Sequence, residues 1–265
     1  MPTYRLTLEY EGTRYHGWQE QLNARSVAGE VRRAIVAAGG DIVELGASGR
    51  TDAGVHALAQ VAHLRLRRPV EPSPFRRAVN DALPPDIHML DVRQAADSFH
   101  ARHGATSRVY LYQISRRRAA LAKRFVWWVK RPLDVAAMAG AARLLEGRHD
   151  FSLFCERPKE QESTLVVVER AEVVESGALI LVRLSASHFL WKMVRRVVGV
   201  LVRVGAGELS LDEIEALAQA RLPESIKDSI AAWTAPSSGL FLDRVIYPGD
   251  PQPPPIAAAV VVPAE

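Results

Sequence analysis

Along the first ten residues, Tyr4, Leu6, Leu8 and Tyr10 alternate with Thr3, Arg5, Thr7 and Glu9. That period of two predicts a strand with one face on a core. A glycine-rich, aromatic turn, "EGTRYHGWQEQ", follows, and then the period changes. Ser26 is placed to cap a helix in which Val27, Val31, Ala34, Ile35 and Ala38 recur at helical spacing, with Gly39 and Gly40 ending it. A short apolar segment leads into the loop "GASGRTDAGVHA" at residues 46–57. Beyond it, Val61, Ala62, Leu64 and Leu66 set against His63, Arg65 and Arg67 predict another strand, and Ser73 and Pro74 open a helix containing Phe75 and Val79.

From about residue 104 a second series of elements begins. Arg108, Tyr110, Tyr112 and Ile114 fall on one face of a strand and Val109 and Leu111 on the other. Asp134 caps a helix whose apolar side is Val135, Met138, Ala142 and Leu145. Two strand-like stretches, "TLVVVERAEVV" and "ALILVRLSAS", precede the run "HFLWKMVRRVVGVLVRVG". That run has helical length, with Phe189, Met193, Val197, Val198 and Leu201 as its buried stripe and Lys192, Arg195, Arg196 and Arg203 outside it. Ser210 and Glu213 form a capping box for a helix with Ile214 and Leu217 inward, and "GLFLDRVIY" is the last strand. The expected fold class is α+β: two mixed α/β halves with largely antiparallel sheets flanked by helices and a cleft between them, residues 1–103 and 104–247. Residues 248–265, with "PQPPP", are expected to form a poorly packed tail.

Composition bounds this picture without changing it. A chain of 265 residues with 48% hydrophobic and 24% charged residues has the make-up of a globular protein. It contains no apolar run near the roughly 18 residues that span a bilayer, and "MPTYRLTLEY" lacks the layout of a signal peptide, so a soluble, cytoplasmic protein is expected. The single cysteine, Cys155, excludes an intramolecular disulfide and a CxxC zinc site.

Charge adds more. The net charge is only +4, but acids are absent from three stretches. Between Glu44 and Glu71 the one carboxylate is Asp52, residues 98–133 hold nine Lys or Arg and no acid, and residues 176–207 hold five and none. Keeping carboxylates away from gathered cations favours a polyanionic partner.

Asp52 therefore stands alone among arginines. The paired carboxylates of glycoside hydrolysis are missing. The eight histidines are scattered, with "HARH" at 100–103 an isolated pair, so no metal site is expected. "GASGRTDAG" has neither the Lys-Ser/Thr ending of a P-loop nor dinucleotide spacing. What remains is a carboxylate kept ionised by arginine, able to act as a nucleophile or base at a sugar or base carbon.

"GRTDAGVHA" resembles the signature of the tRNA pseudouridine synthase A family. "YEGTRYHGWQEQ", "FHARHGATSRVYLYQI", "EGRHDFSLF", "HFLWKMVRRVVG" and "SSGLFL" resemble further blocks of that family in its order, over about residues 4 to 247. The chain departs from the pattern at Ala28, where a glutamine is common, and in its tail. The resemblance implies conversion of uridine to pseudouridine at positions 38, 39 and 40 of the tRNA anticodon stem-loop, by a homodimer using no metal or organic cofactor. It makes Asp52 the catalytic aspartate, Tyr110 the tyrosine against the uracil and Arg195 the aspartate's basic partner, with Arg50 and Leu240 at the substrate. His56, within the signature, is expected to orient the loop. Arg65, Arg67, Arg68, Arg116, Arg117, Arg118, Lys123 and Arg124 are candidates for RNA phosphate contact. Two other readings are an RNA-binding module without turnover and a uridine methyltransferase. The first gains nothing from a carboxylate among arginines, and the second lacks a cofactor loop.

Overall fold

A computed structural model of the protein describes residues 1–156, 163–226 and 229–264. In chain order its elements are β1 (Thr3–Tyr10), α1 (Val27–Ala37), β2 (Ile42–Ala47), β3 (His56–Leu66), α2 (Pro72–Ala82), β4 (Ile87–Ala95), β5 (Ser107–Ser115), β6 (Trp127–Trp128), α3 (Val135–Arg143), β7 (Gly147–Asp150), β8 (Leu165–Ser176), β9 (Leu179–Ala186), α4 (Met193–Gly205), α5 (Leu211–Ala218) and β10 (Leu240–Ile246). The fold is α+β. Two compact units emerge: Met1–Thr106 with Phe241–Pro251, and Ser107–Leu240 with Gln252–Glu265.

In the first unit β1 lies between β3 and β4 and is antiparallel to both. β2 is antiparallel to β3, and β10 joins β3 in parallel, with Phe241 opposite His56 and Leu242 opposite Ala57. The alternation of β1 survives intact, with Tyr4, Leu6, Leu8 and Tyr10 all buried. Helix α1 starts where Ser26 Oγ accepts the Gly29 N–H, and it buries Val27, Val31, Ala34 and Ile35. It packs on α2 and β2, while α2 packs on β4.

In the second unit β9 lies between β5 and β8, antiparallel to both, and β7 extends the sheet on β8. Every residue of β5 and β9 is buried, so the alternation read along β5 does not separate a wet from a dry face. Helices α4 and α5 both pack on α3, which lies against β8. The cap on α3 is Asp134, and the capping box of Ser210 and Glu213 is complete.

The structure departs from the sequence reading in five places. Strand β4 is present although its "IHMLDVRQA" shows only a broken alternation, because pairing along β1 supplies its order. Helix α2 begins at Pro72 rather than Ser73, with Glu71 in the cap position making no side-chain bond. Helix α4 begins only at Met193: Lys192 sits at φ 63°, so Phe189 precedes the helix. Arg196 is buried, not solvated, since α4 is covered on nearly every side. The tail is not loose: Gln113 Oε1 accepts the N–H groups of Ala259 and Val260 at 2.7 and 3.2 Å, Ala178 N–H donates to the Val262 carbonyl at 3.3 Å, and Val262 is buried. Backbone groups with no partner in the sequence's own periodicity found side chains on a neighbouring sheet.

Candidate active site

Asp52 sits half-buried in the loop joining β2 to β3, and its immediate neighbour Thr51 is buried. The glycine-rich turn after β1 holds this loop. Trp18 N–H donates to the Thr51 carbonyl at 3.1 Å and Gly54 N–H to the Tyr15 carbonyl at 3.1 Å. Val55 N–H closes a turn on the Asp52 carbonyl at 3.1 Å, with Gly54 at φ 78° supplying the left-handed step. The turn approaches closely because it has no side chains to prevent it. A Cβ on Gly12 would lie 1.9 Å from the Val55 carbonyl oxygen, and one on Gly17, at φ 89°, 2.3 Å from that of Thr51.

Side chains finish the clamp. The Tyr10 and Thr51 hydroxyls are 2.8 Å apart, and Gln60 Nε2 donates to the Gly49 carbonyl at 2.9 Å. Burial pushes the Tyr10 phenol up to about 12, so it remains a neutral hydrogen-bonding group. His56 Nδ1 accepts the Gly12 N–H at 3.0 Å while its ring stacks on Phe241, centroids 4.8 Å apart. The His56 imidazole is thus a fixed brace for the loop. Arg50, two residues from Asp52, is exposed.

Tyr110, Arg195 and Leu240 belong to the second unit. Tyr110 lies on β5 opposite Leu184, buried, with its ring edge-on to Phe189 at 5.0 Å. Arg195 is locked at both backbone and side chain: its Nε donates to the Ala235 carbonyl at 2.6 Å, and Ala235 N–H returns a bond to its own carbonyl at 3.0 Å. Nearby, Tyr112 donates its hydroxyl to the Pro236 carbonyl at 2.8 Å. Burial holds that phenol well above its ordinary range, against the opposing charge of Arg195. Gly239 permits the "SSG" turn to lie against the Tyr112 ring, where a Cβ would come within 2.6 Å, and this turn delivers the buried Leu240.

The basic candidates separate into two kinds. Arg65 bonds Glu44 at 3.0 Å, Arg67 lies 3.4 Å from Asp41, and Arg116 bonds Glu175 at 3.1 Å. Arg117 donates to the Pro263 carbonyl at 3.0 Å. The chain's acid-poor stretches are therefore not acid-poor in space, because neighbouring segments bring carboxylates to them. Arg68, Lys123 and Arg124 are exposed.

One group of side chains escaped the sequence reading. Glu44, His63 and His100 place ligand-type atoms within 4.8 Å of one another. Yet His63 Nδ1 accepts the Ala101 N–H at 3.2 Å, and His100 Nδ1 accepts those of Arg102 and His103 at 3.2 and 3.3 Å. The proton of each neutral ring is then on Nε2, and His63 Nε2 faces Glu44 Oε1 at 3.1 Å. A metal at that position would have to displace it, so the group reads as a hydrogen-bonded brace. The His63 bond foremost holds the Glu44 carboxyl below its usual range. A cavity of about 630 Å³ beside His100, lined also by Arg5, Phe99 and Tyr247, includes neither Arg50 nor Asp52.

The fold and the loop together define a class of protein: an α+β chain that presents one aspartate, flanked by arginine, on a loop locked in place by a second turn. The sequence model described as tRNA pseudouridine synthase matches residues 7–103 and 141–248, and the chain belongs to that family. It is similar to tRNA pseudouridine synthase A of Mesorhizobium japonicum, 44% identical over 94% of this chain and 100% of the relative. It is also similar to tRNA pseudouridine synthase A of Brucella ovis, 40% identical over 93% of this chain and 98% of the relative. A crystal structure of the archaeal box H/ACA sRNP Nop10-Cbf5 complex is similar at 10% identity, over 88% of this chain and 58% of that one, with a TM-score of 0.36, too low to carry an argument.

Proposed function

We propose that this protein isomerises uridine to pseudouridine at positions 38, 39 and 40 of the tRNA anticodon stem-loop, with Asp52 acting on a uridine extruded from its stack. Pseudouridine synthesis in tRNA follows from family membership. The observation that carries it is the loop itself. Asp52 is the single acid between Glu44 and Glu71, and the bonds to Thr51, Gly54 and Val55 fix the backbone on both sides of it. A rigid mount holds a reacting carboxylate in position without ordering cost at each turnover.

The reaction breaks the bond from C1′ to N1 and forms one from C1′ to C5. The C5 hydrogen is lost as a proton and N1 gains one, so nothing is oxidised and no cofactor is consumed. An ionised carboxylate suffices as nucleophile or base. Tyr110, Arg195, Arg50 and Leu240 serve the same reaction in the roles that the family resemblance gives them. Shape and backbone contacts would hold the stem-loop, while the extruded base is read at the site. A homodimer working in the cytoplasm completes the proposal.

Tritium release from C5-labelled uridine in a tRNA transcript, with no cofactor added, tests it. The parent protein releases tritium and Asp52→Ala does not, while both bind the transcript. Mapping of the product then places pseudouridine at 38–40. Equal release by Asp52→Ala, or product confined to other positions, would overturn the reading.

A further inference from the structure

Strand β6 consists of two tryptophans paired in parallel with β5, Trp127 opposite Ile114 and Trp128 opposite Ser115. The strand's period of two sends them opposite ways. Trp127 meets the buried Tyr112 edge-on, centroids 6.4 Å apart, whereas Trp128 is 38% exposed. Its surroundings are cationic: the Arg118 guanidinium lies 5.9 Å and the Lys130 ammonium 5.4 Å from the indole centroid.

Several exposed arginines of this chain have carboxylate partners, such as Arg25 and Arg33 on Glu30 or Arg67 on Asp41. Among the described residues, Arg118, Lys123 and Lys130 form no ion pair. The contrast with Trp191 is direct. That indole is also exposed and lies under a cation, but its Lys192 is already neutralised by Glu156 at 2.5 Å. The Trp128 edge is also firmly held, since Val129 N–H donates to the Ser115 carbonyl at 3.1 Å and Arg117 ties the preceding turn to the Pro263 carbonyl.

We propose that Trp128 is a stacking platform for an unpaired base of the tRNA, with Arg118 and Lys130 holding the adjoining phosphates. An indole face accepts any base, and unneutralised cations beside it supply the charge that a polyanion requires. Of this surface the sequence singled out Arg118 as a basic candidate, but neither Lys130 nor the indole. The proposal rests on the reading of the protein as a tRNA enzyme.

Two measurements on the full chain test it. Binding of an unmodified tRNA transcript is followed by anisotropy, where Trp128→Ala weakens affinity about tenfold and Trp128→Phe restores most of it. The double variant Arg118→Ala, Lys130→Ala flattens the dependence of log affinity on log salt by roughly one unit or more. In protein labelled with 5-fluorotryptophan, the resonance missing from Trp128→Phe shifts when the transcript is added. Unchanged affinity in Trp128→Ala with an unmoved resonance overturns the proposal. A resonance that moves with protein concentration alone also overturns it, because a second copy of the chain then occupies the surface. A parent protein that binds the transcript through Trp128 but releases no tritium would instead overturn the proposed function and leave this contact standing.

Discussion

Gly17 shows how one residue without a side chain governs the loop that carries Asp52. Its φ of 89° lies in the left-handed region, and a Cβ would meet the Thr51 carbonyl oxygen at 2.3 Å. Gly17→Ala therefore strains its own backbone and pushes directly on the residue before Asp52. We expect a loss of about 1–3 kcal/mol in urea unfolding and a larger proportional loss of tritium release. Tyr10 makes a different prediction. Folding raises its phenol from 10.0 to about 12, so folding favours the neutral form. The stability this contributes is complete below about pH 10 and is lost as pH rises through about 12. Tyr10→Phe should flatten the fall of the urea midpoint over that window, and an equally steep fall would show that other groups govern it. Of the signature residues, Asp52 and Arg50 were legible from residue type and neighbours. The clamp from Tyr10, Gly12, Gly17 and Gln60 was not, because Tyr10 meets Thr51 41 positions away and Gly12 meets His56 44 positions away, while Gly17 and Gln60 meet backbone carbonyls that carry no sequence signal.

Elements were legible where local physics decided them. Helices α1, α3 and α5 have caps that the sequence displays, and each cap bond is present. In α5 the box is reciprocal, with Ser210 N–H donating to Glu213 Oε2 at 2.7 Å and Glu213 N–H to Ser210 Oγ at 3.3 Å. Ser210→Ala leaves the Glu213 N–H without its acceptor and should cost about 1 kcal/mol, read as a lowered thermal midpoint. Helix α4 departs from its own pattern for the complementary reason. Its pattern marks one apolar stripe, but eleven of its thirteen residues are buried, among them Arg196. Periodicity finds the face that must be buried; it cannot say whether the opposite face is also covered. Strand β4 and the short β6 likewise depend on the neighbours they pair with rather than on their own propensity.

At the scale of the whole molecule, the tail gives the clearest prediction. Its backbone is held by Gln113, by Arg183, whose Nη1 donates to the Pro254 carbonyl at 2.6 Å, and by Ala178. Removing residues 252–265 exposes buried Gln113 and Arg183 without their acceptors and donors, and the thermal midpoint should drop by several degrees. A midpoint equal to that of the full chain would show that the tail merely rests on the sheet. The sequence by itself determined the α+β class, the capped helices, the regular strand β1 and the isolation of one aspartate among arginines, since each follows from periods and spacings within a few residues. Only the tertiary structure decided which cations keep their charge free. Glu44, Asp41 and Glu175 reach Arg65, Arg67 and Arg116 from other segments, whereas Arg118 and Lys130 are left beside an exposed indole. Electrostatic partnership depends on distance through space, and the order of residues along a chain does not contain that distance.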